Sequence, residues 1–249
     1  MKYKFMSKSI IVIPSRLSAT RLPNKPLIKI RDKSLIMHVY DKAVKSKVGE
    51  VYVATCDQEI ALEVDKQGGK FIMTDRAHTT GTDRVCEAAK KLKLLDSDYV
   101  INVQGDEPMI NPDDIKKLHK VSMIENLSFS TLAHNINIKD DYKNKNIVKV
   151  ITENKISQNL AEEALNFTRI IDVNNVKNIY HHIGIYLYEF SLLKKFVQLK
   201  KSKNEINESL EQLRALDNKI KINVIMSNHF STGIDTKKDL DDYIKFLNK

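Results

Sequence analysis

The sequence predicts an α/β protein built on a mostly parallel central sheet with helices on both faces. Two observations carry this. The first 125 residues alternate short apolar runs with amphipathic stretches, the order expected of strand–helix crossovers. The strands also read as continuous rather than alternating apolar runs. Ile10-Ile-Val-Ile13 and Tyr99-Val-Ile101 with Val103 are the clearest, and continuous runs imply that both faces are covered.

In chain order, Ser9–Ile13 is the first strand. Lys33–Val48 carries apolar residues at 35, 36, 39, 40, 43 and 44, the stripe of a helix. Val51–Thr55 is the second strand. Asp57 is placed to cap a helix running to Gln67, which Gly68-Gly69 ends. Lys70–Thr74 is the third strand. The polar loop Asp75–Arg84 leads to a helix with Val85, Ala88, Ala89 and Leu92. Residues 99–104 form a buried strand ending in the turn Gln104-Gly-Asp-Glu-Pro108, where Gly105 is read as allowing a backbone that other residues resist. Pro112-Asp-Asp114 opens a helix with Ile115, Leu118 and Val121 inward.

The second half changes character. Strands are expected at Phe129–Ile138, Ile147–Thr152, Asn166–Ile171 and Tyr180–Tyr188, with polar loops at 139–146 and 172–179. Helices are expected at Ser191–Lys201 and Glu208–Leu216. Ile220, Ile222, Val224 and Met226 alternate with polar residues, as in a strand with one wet face. Thr232–Thr236 precedes a last helix with Leu240, Tyr243, Ile244 and Leu247. The 249 residues read as one domain, about 9–125 and about 126–249 forming its two halves.

Composition narrows the class. Hydrophobic residues make up 42% and charged residues 29%, with no apolar run of spanning length and no signal-peptide pattern after Met1. Cys56 and Cys86 fit no disulfide framework or zinc spacing, so a reducing, cytoplasmic setting is expected. The net charge is +9, but the lysines are spread over helix faces with no basic arm or aromatic platform. Neither nucleic-acid binding nor membrane insertion is expected.

The chemistry gathers in loops after strands. Pro14–Leu27 carries Arg16, Arg21 and Lys25 among three prolines, a set able to neutralise a triphosphate. It lacks the P-loop pattern. Loops 14–26, 75–84 and 104–108 all follow strands. In a parallel sheet they share the edge where ligands bind. Asp106 at a strand end and Asp235 near the C-terminus are candidates to hold a divalent ion, since magnesium takes carboxylate, phosphate and water oxygens. Taken alone, Asp235 reads first as a helix N-cap, since a helix follows. His182 reads either as a strand histidine satisfied in the core or as a ligand contact.

Six motifs occur in order: Ile13-Pro-Ser-Arg16 with Ser18-Ala-Thr-Arg-Leu-Pro-Asn-Lys-Pro26, Gly81-Thr-Asp-Arg84, Asn102-Val-Gln-Gly-Asp-Glu-Pro108, His182-Ile-Gly-Ile-Tyr186, Leu210-Glu-Gln-Leu-Arg214 and Gly233-Ile-Asp-Thr236. Together they resemble the 3-deoxy-manno-octulosonate (Kdo) cytidylyltransferases, or CMP-Kdo synthetases. The resemblance implies a nucleotide-diphospho-sugar transferase (glycosyltransferase-A-like) fold with a smaller β-rich dimerisation and substrate lobe. It implies a homodimer that uses CTP and Mg2+ to make CMP-Kdo and pyrophosphate for lipopolysaccharide assembly. By position, Arg16, Arg21 and Lys25 would hold the triphosphate, and Arg76 and Thr80 the rest of the nucleotide. Asp106 and Asp235 would carry the metal, with Lys25, Asp106 and Asp235 as the catalytic set. Gln104, Arg169, His182 and Glu211 would bind the sugar acid, with Gln212 and Arg214 beside them. The chain departs from the family pattern at Ser15, Leu17 and Asn24, usually alanine, an aromatic and glycine, and its arginine at 76 is shifted by one place. Activation of a related acid (8-amino-Kdo, sialic or pseudaminic) and a non-catalytic polyanion-binding protein are the alternatives.

Overall fold

The computed structural model describes residues 7–17, 22–136, 142–171 and 176–247. Eleven strands and eight α-helices lie among them. The strands are β1 (Ser9–Ser15), β2 (Lys29–Ile30), β3 (Lys33–Ser34), β4 (Glu50–Thr55), β5 (Phe71–Met73), β6 (Tyr99–Asn102), β7 (Phe129–Asn135), β8 (Lys149–Thr152), β9 (Glu162–Thr168), β10 (Ile179–Glu189) and β11 (Asn223–Met226). The helices are α1 (Leu35–Lys45), α2 (Gln58–Lys66), α3 (Gly81–Lys91), α4 (Pro112–Ile124), α5 (Phe190–Phe196), α6 (Lys203–Glu208), α7 (Leu213–Asp217) and α8 (Lys237–Leu247). A 3-10 turn, Lys25–Leu27, follows the first loop. No helix among the described residues is long and apolar enough to cross a membrane.

One nine-stranded sheet, ordered β5-β4-β1-β6-β10-β7-β11-β9-β8, runs through both halves of the chain. The first four strands pair in parallel, as the strand–helix alternation requires. Among the described residues, only β7 and β11 pair in parallel in the rest of the sheet: β10 runs antiparallel to β6, β7 and β8, and β9 antiparallel to β8 and β11. The sheet is therefore mixed rather than mostly parallel. Local periodicity says which residues face inward and nothing about which strand lies alongside.

Both faces are covered, as expected. Ile11, Ile13, Val53 and Ile101 pack with α1, α2 and α4 on one face. Ile10, Val12 and Val100 pack with α3, α5 and α7 on the other. A smaller cluster joins Ile30 and Leu35 to Ile234, Leu240 and Tyr243, seating α8 near the β2–β3 hairpin.

Several boundaries differ from the sequence reading. Lys33–Val48 splits into β3 and α1. The strand expected at Asn166–Ile171 lies earlier, at Glu162–Thr168, because the Thr168 hydroxyl bonds the Ile170 carbonyl at 2.8 Å and turns the chain out. Ser191–Lys201 shortens to Phe190–Phe196. Glu208–Leu216 is not one helix. Ser209 adopts φ 55°, the left-handed region that ends α6, before α7 begins. The alternating strand at 220–226 narrows to β11, held between β7 and β9, with Val224 and Ile225 fully buried. The expected strand end beyond 136 and parts of both polar loops lie outside the described residues.

Candidate active site

β1 and β6 run parallel, so the loops after them leave the same edge of the sheet. β10 is antiparallel to both β6 and β7, which makes β7 parallel to β6, and β11 is parallel to β7. The segment after β11 therefore reaches that same edge. There a cleft of ≈ 380 Å³ opens, lined by residues from all these loops and from the N-terminus of α3.

Lys25 is one of its lining residues. Its Nζ donates to Asp106 Oδ2 at 2.7 Å, to the Ile234 carbonyl at 2.8 Å and to Asp235 Oδ1 at 3.1 Å. Burial pulls the Lys25 pKa down, but Asp106 and Asp235 together outweigh it and raise it. The lysine is presented by the 3-10 turn. That turn begins after Asn24 at φ 53°, a conformation asparagine tolerates, and Pro26 fixes its first residues. Asp235 is not the helix cap. Thr236 Oγ1 accepts from Asp239 N at 3.2 Å, and Asp239 accepts back from Thr236 N at 2.8 Å, so α8 is capped one residue later.

Gly105 sits between Pro14 and Asp106, but not for the reason read from the sequence, since it has no positive φ. A Cβ there would lie 2.9 Å from the Pro14 carbonyl oxygen and 3.2 Å from Ile36 Cδ1. Glycine is needed so that the loops after β1 and β6 can touch. The neighbouring Glu107 accepts from Ser231 Oγ at 2.7 Å, tying the loop after β11 to the loop after β6. Burial, with Asp106 and Asp235 adding to it, pushes the Glu107 pKa up to about 7 against the Ser231 bond and Lys25.

Arg16, Lys25, Thr80, Gln104, Asp106 and Asp235 line the one cleft. Gln104 donates to Asn102 Oδ1 at 3.2 Å, which orients its amide. Thr80 caps α3, accepting from Asp83 N at 3.1 Å, so the loop expected at 75–84 is shorter and the helix starts at Gly81. Arg76 does not line the cleft. Its side chain is 78% exposed and turns to Asp57 Oδ1 at 3.4 Å. Asp57 stands at the N-cap position of α2, yet its carboxylate instead accepts from Leu17 N at 2.8 Å and anchors the loop after β1.

Arg84 and His78 are in the cleft, and neither was read as a site residue. Arg84 is buried and bonds Thr74 Oγ1; its signal was present in the Gly81–Arg84 motif. His78 Nε2 lies 2.5 Å from Glu87 Oε2, a pairing between a loop and a helix that no local spacing announces. Burial opposes ionisation of Glu87, but Lys91, the Asp75 N–H and His78 hold its pKa down to about 2.

The candidate sugar-acid residues are less gathered. Glu211 Oε2 accepts from Thr82 Oγ1 at 2.5 Å, just behind the cleft wall, and burial raises its pKa despite bonds from Thr82 and Thr80 and the charge of Arg214. Arg169 donates to the carbonyls of Glu208 and Lys145, both at 3.1 Å, and does not line the cleft. Nor does His182, which is 7% exposed on β10, bonds Thr131 Oγ1 at 3.0 Å and meets the Phe167 ring edge-on. Burial, with His181 alongside, depresses its pKa to about 3. Arg21 lies outside the described residues.

A sequence profile described as cytidylyltransferase matches residues 10–222. The chain belongs to the cytidylyltransferase family. Among curated cytidylyltransferases, the 3-deoxy-manno-octulosonate cytidylyltransferase of Thermodesulfovibrio yellowstonii is 45% identical, over 96% of this chain and 98% of its own. That of Brucella ovis is 40% identical over 94% and 93%. A solved structure of CMP:2-keto-3-deoxy-manno-octonic acid synthetase complexed with CTP superposes with a TM-score of 0.87 at 37% identity, covering 97% of this chain and 99% of that one. The resemblance read from the six motifs is borne out. A thymidylyltransferase-like structure from Bacillus anthracis shares only the fold, at 15% identity and a TM-score of 0.64.

The donor set of this cytidylyltransferase cleft suits a hard divalent ion. Two carboxylates already converge on a cation, the Lys25 ammonium, from 2.7 and 3.1 Å. Among the described residues no cluster of three or more His, Cys, Asp or Glu forms a closed cage. A pair of carboxylates that leaves the remaining positions to phosphate and water is the arrangement magnesium favours.

Proposed function

We infer that the chain transfers CMP from CTP to the anomeric hydroxyl of 3-deoxy-manno-octulosonate, giving CMP-Kdo and pyrophosphate, for lipopolysaccharide assembly. Identity to named enzymes of this activity over nearly the whole chain supports it. The observation that carries it into the geometry is the Lys25 bridge between Asp106 and Asp235 below a cleft that Arg16 also lines.

In the reaction, the anomeric hydroxyl gives up its proton to solvent and its oxygen bonds to the α-phosphorus as the bond to the pyrophosphate oxygen breaks. Arg16 and Lys25, with Arg21, hold the triphosphate; arginine meets phosphate oxygens with two donors and lysine with a point charge. The nucleotide lies against the N-terminus of α3, where Thr80 and Arg84 stand. Gln104, oriented by Asn102, reaches the sugar acid. Arg169, His182 and Glu211 are assigned to its pocket by the family resemblance, and of the three Glu211 reaches the cleft wall, through Thr82 of α3. Asp106 and Asp235 would hold Mg2+, which would polarise the α-phosphate and lower the pKa of the attacking hydroxyl. Lys25, whose ammonium both carboxylates hold in this structure, would turn to the phosphates. A homodimer in the cytoplasm completes the reading.

The test is pyrophosphate release from CTP and Mg2+ with Kdo, its 8-amino analogue or sialic acid, each repeated with EDTA. Release with Kdo, abolished by EDTA, is expected. Release only with another acid moves the substrate, and no release with any acid overturns the reading.

A further inference from the structure

Behind the cleft wall, four side chains from both halves of the molecule form one chain of bonds. Glu205 in α6 is 6% exposed and Arg214 in α7 is 3% exposed. Arg214 grips Glu205 with two donors, Nε at 2.8 Å and Nη2 at 2.5 Å. The same Nη2 lies 3.4 Å from Glu211 Oε1. The other oxygen of Glu211 takes the Thr82 hydroxyl of α3 at 2.5 Å. The Phe196 ring lies under the guanidinium at 5.1 Å.

We propose that Glu205 is a positioning residue for the sugar-acid pocket, acting through Arg214 on Glu211. The inference rests on the reading of Glu211 as a pocket residue. Glu205 itself does not line the cleft. It is held from the other side as well: it completes the cap of α6, accepting from Ser202 N at 3.2 Å while Ser202 Oγ accepts from Glu205 N at 3.2 Å. A carboxylate fixed in this way sets the plane of the guanidinium, because two parallel bonds leave the fork no freedom to rotate. The remaining reach of Nη2 then meets Glu211 at a distance that leaves Glu211 with Thr82.

The geometry separates this from an ordinary buried ion pair. Arg214 has two carboxylates to choose between, and the nearer one decides how hard it pulls on the other. With an uncharged amide at 205, the desolvated guanidinium has Glu211 as its one acidic partner in this chain of bonds. It closes on it and draws it from the α3 N-terminus, where Thr80 and Gly81 line the cleft. The loss falls on the sugar-acid side, since Thr80 keeps its own bonds to Asp83 and Arg84 its bond to Thr74, and Arg16, Lys25 and Asp106 are untouched.

Steady-state kinetics of the full chain test this, with Glu205→Gln, Glu205→Asp and Glu211→Gln, each with its Tm. Glu205→Asp keeps the charge but shortens the side chain, so the two-donor grip on Arg214 is lost, and it covers the case in which Glu205→Gln fails to fold. Either Glu205 variant should raise KM for Kdo by about five- to tenfold with KM for CTP within about twofold. A lowered Tm with both KM values unchanged makes the pair merely structural and overturns the proposal, as does a parallel rise in both. Glu211→Gln keeps the two readings apart. If it leaves KM for Kdo unchanged, the pocket reading fails first. If it raises KM and neither Glu205 variant does, this inference alone fails.

Discussion

Replacing Lys25 with methionine keeps most of the side-chain volume and removes the charge. The ammonium now separates Asp106 Oδ2 and Asp235 Oδ1, standing 2.7 and 3.1 Å from them, so those two oxygens lie within about 6 Å of each other. Two unit charges at that separation repel by about 3 kcal/mol at an effective dielectric constant of 20. The carboxylates are 34% and 47% exposed, so solvent screening reduces this to about 1–2 kcal/mol. In a chain of this size that lowers the Tm of the metal-free protein by about 2–8 °C at low ionic strength.

Magnesium should reverse this selectively. In the variant nothing competes with the ion for the carboxylates, so millimolar Mg2+ restores most of the lost Tm. In the wild type the ion must first displace an ammonium that shares the same oxygens, so its effect on Tm is smaller. Differential scanning fluorimetry with and without Mg2+ reads both. Calorimetric titration should show CTP affinity falling about ten- to a hundredfold, the worth of one charge-assisted phosphate contact, with Kdo affinity less affected. A Mg2+-induced Tm shift as large in the wild type as in the variant would refute the idea that lysine and metal compete. Equal losses for CTP and Kdo would contradict the phosphate assignment.

Asp106→Asn should abolish pyrophosphate release while circular dichroism and Tm stay near wild type; a wild-type-like rate removes Asp106 from the mechanism. Gly105→Ala places a methyl 2.9 Å from the Pro14 carbonyl oxygen, so the two loops must part, costing about 1–3 kcal/mol and most of the activity; full activity at unchanged Tm would show that the contact yields freely. Burial keeps His181 and His182 neutral, with pKa values depressed to about 4 and about 3. Their folded pKa values lie below the unfolded one, so the stability they contribute is present above pH 6.5 and is lost as pH falls toward those values, at up to about 1.4 kcal/mol per pH unit for each. His182→Gln should roughly halve their share of the slope between pH 6 and pH 4.5 in urea melts, and an unchanged slope would mean that His182 does not titrate there.

The parallel half of the fold was legible because its strands are covered on both sides, so the runs at 10–13 and 99–101 are uninterrupted by polar residues. The second half was less so. β9 follows the pairing with β11 rather than its own apolar count, and Leu165 on it is 56% exposed. The break between α6 and α7 falls on Ser209, whose left-handed backbone has no signature in a serine. The hairpin of β2 and β3 is two residues a side, too short for any period to show. In the site, the strand-end rule brought out the loops holding Arg16, Lys25, Gln104 and Asp106. It could not choose between Arg76 and Arg84, since both flank the same polar loop. The choice depends on Asp57, which draws Arg76 outward, and on Thr74, which holds Arg84 in.

Asp235 shows why the rest needed the tertiary structure. Lys25 meets one acid 81 residues away and another 210 residues away, from segments after three different strands. What unites them is strand polarity. β10 lies between β6 and β7 and runs against both, so polarity is inverted twice and β11 ends at the same edge as β1 and β6. Had the order reached β11 through a single antiparallel step, the segment 231–235 would emerge at the opposite edge, and Lys25 would face one carboxylate instead of two. The antiparallel insertion that spoiled the expectation of a mostly parallel sheet is thus what delivers the second carboxylate to the cleft.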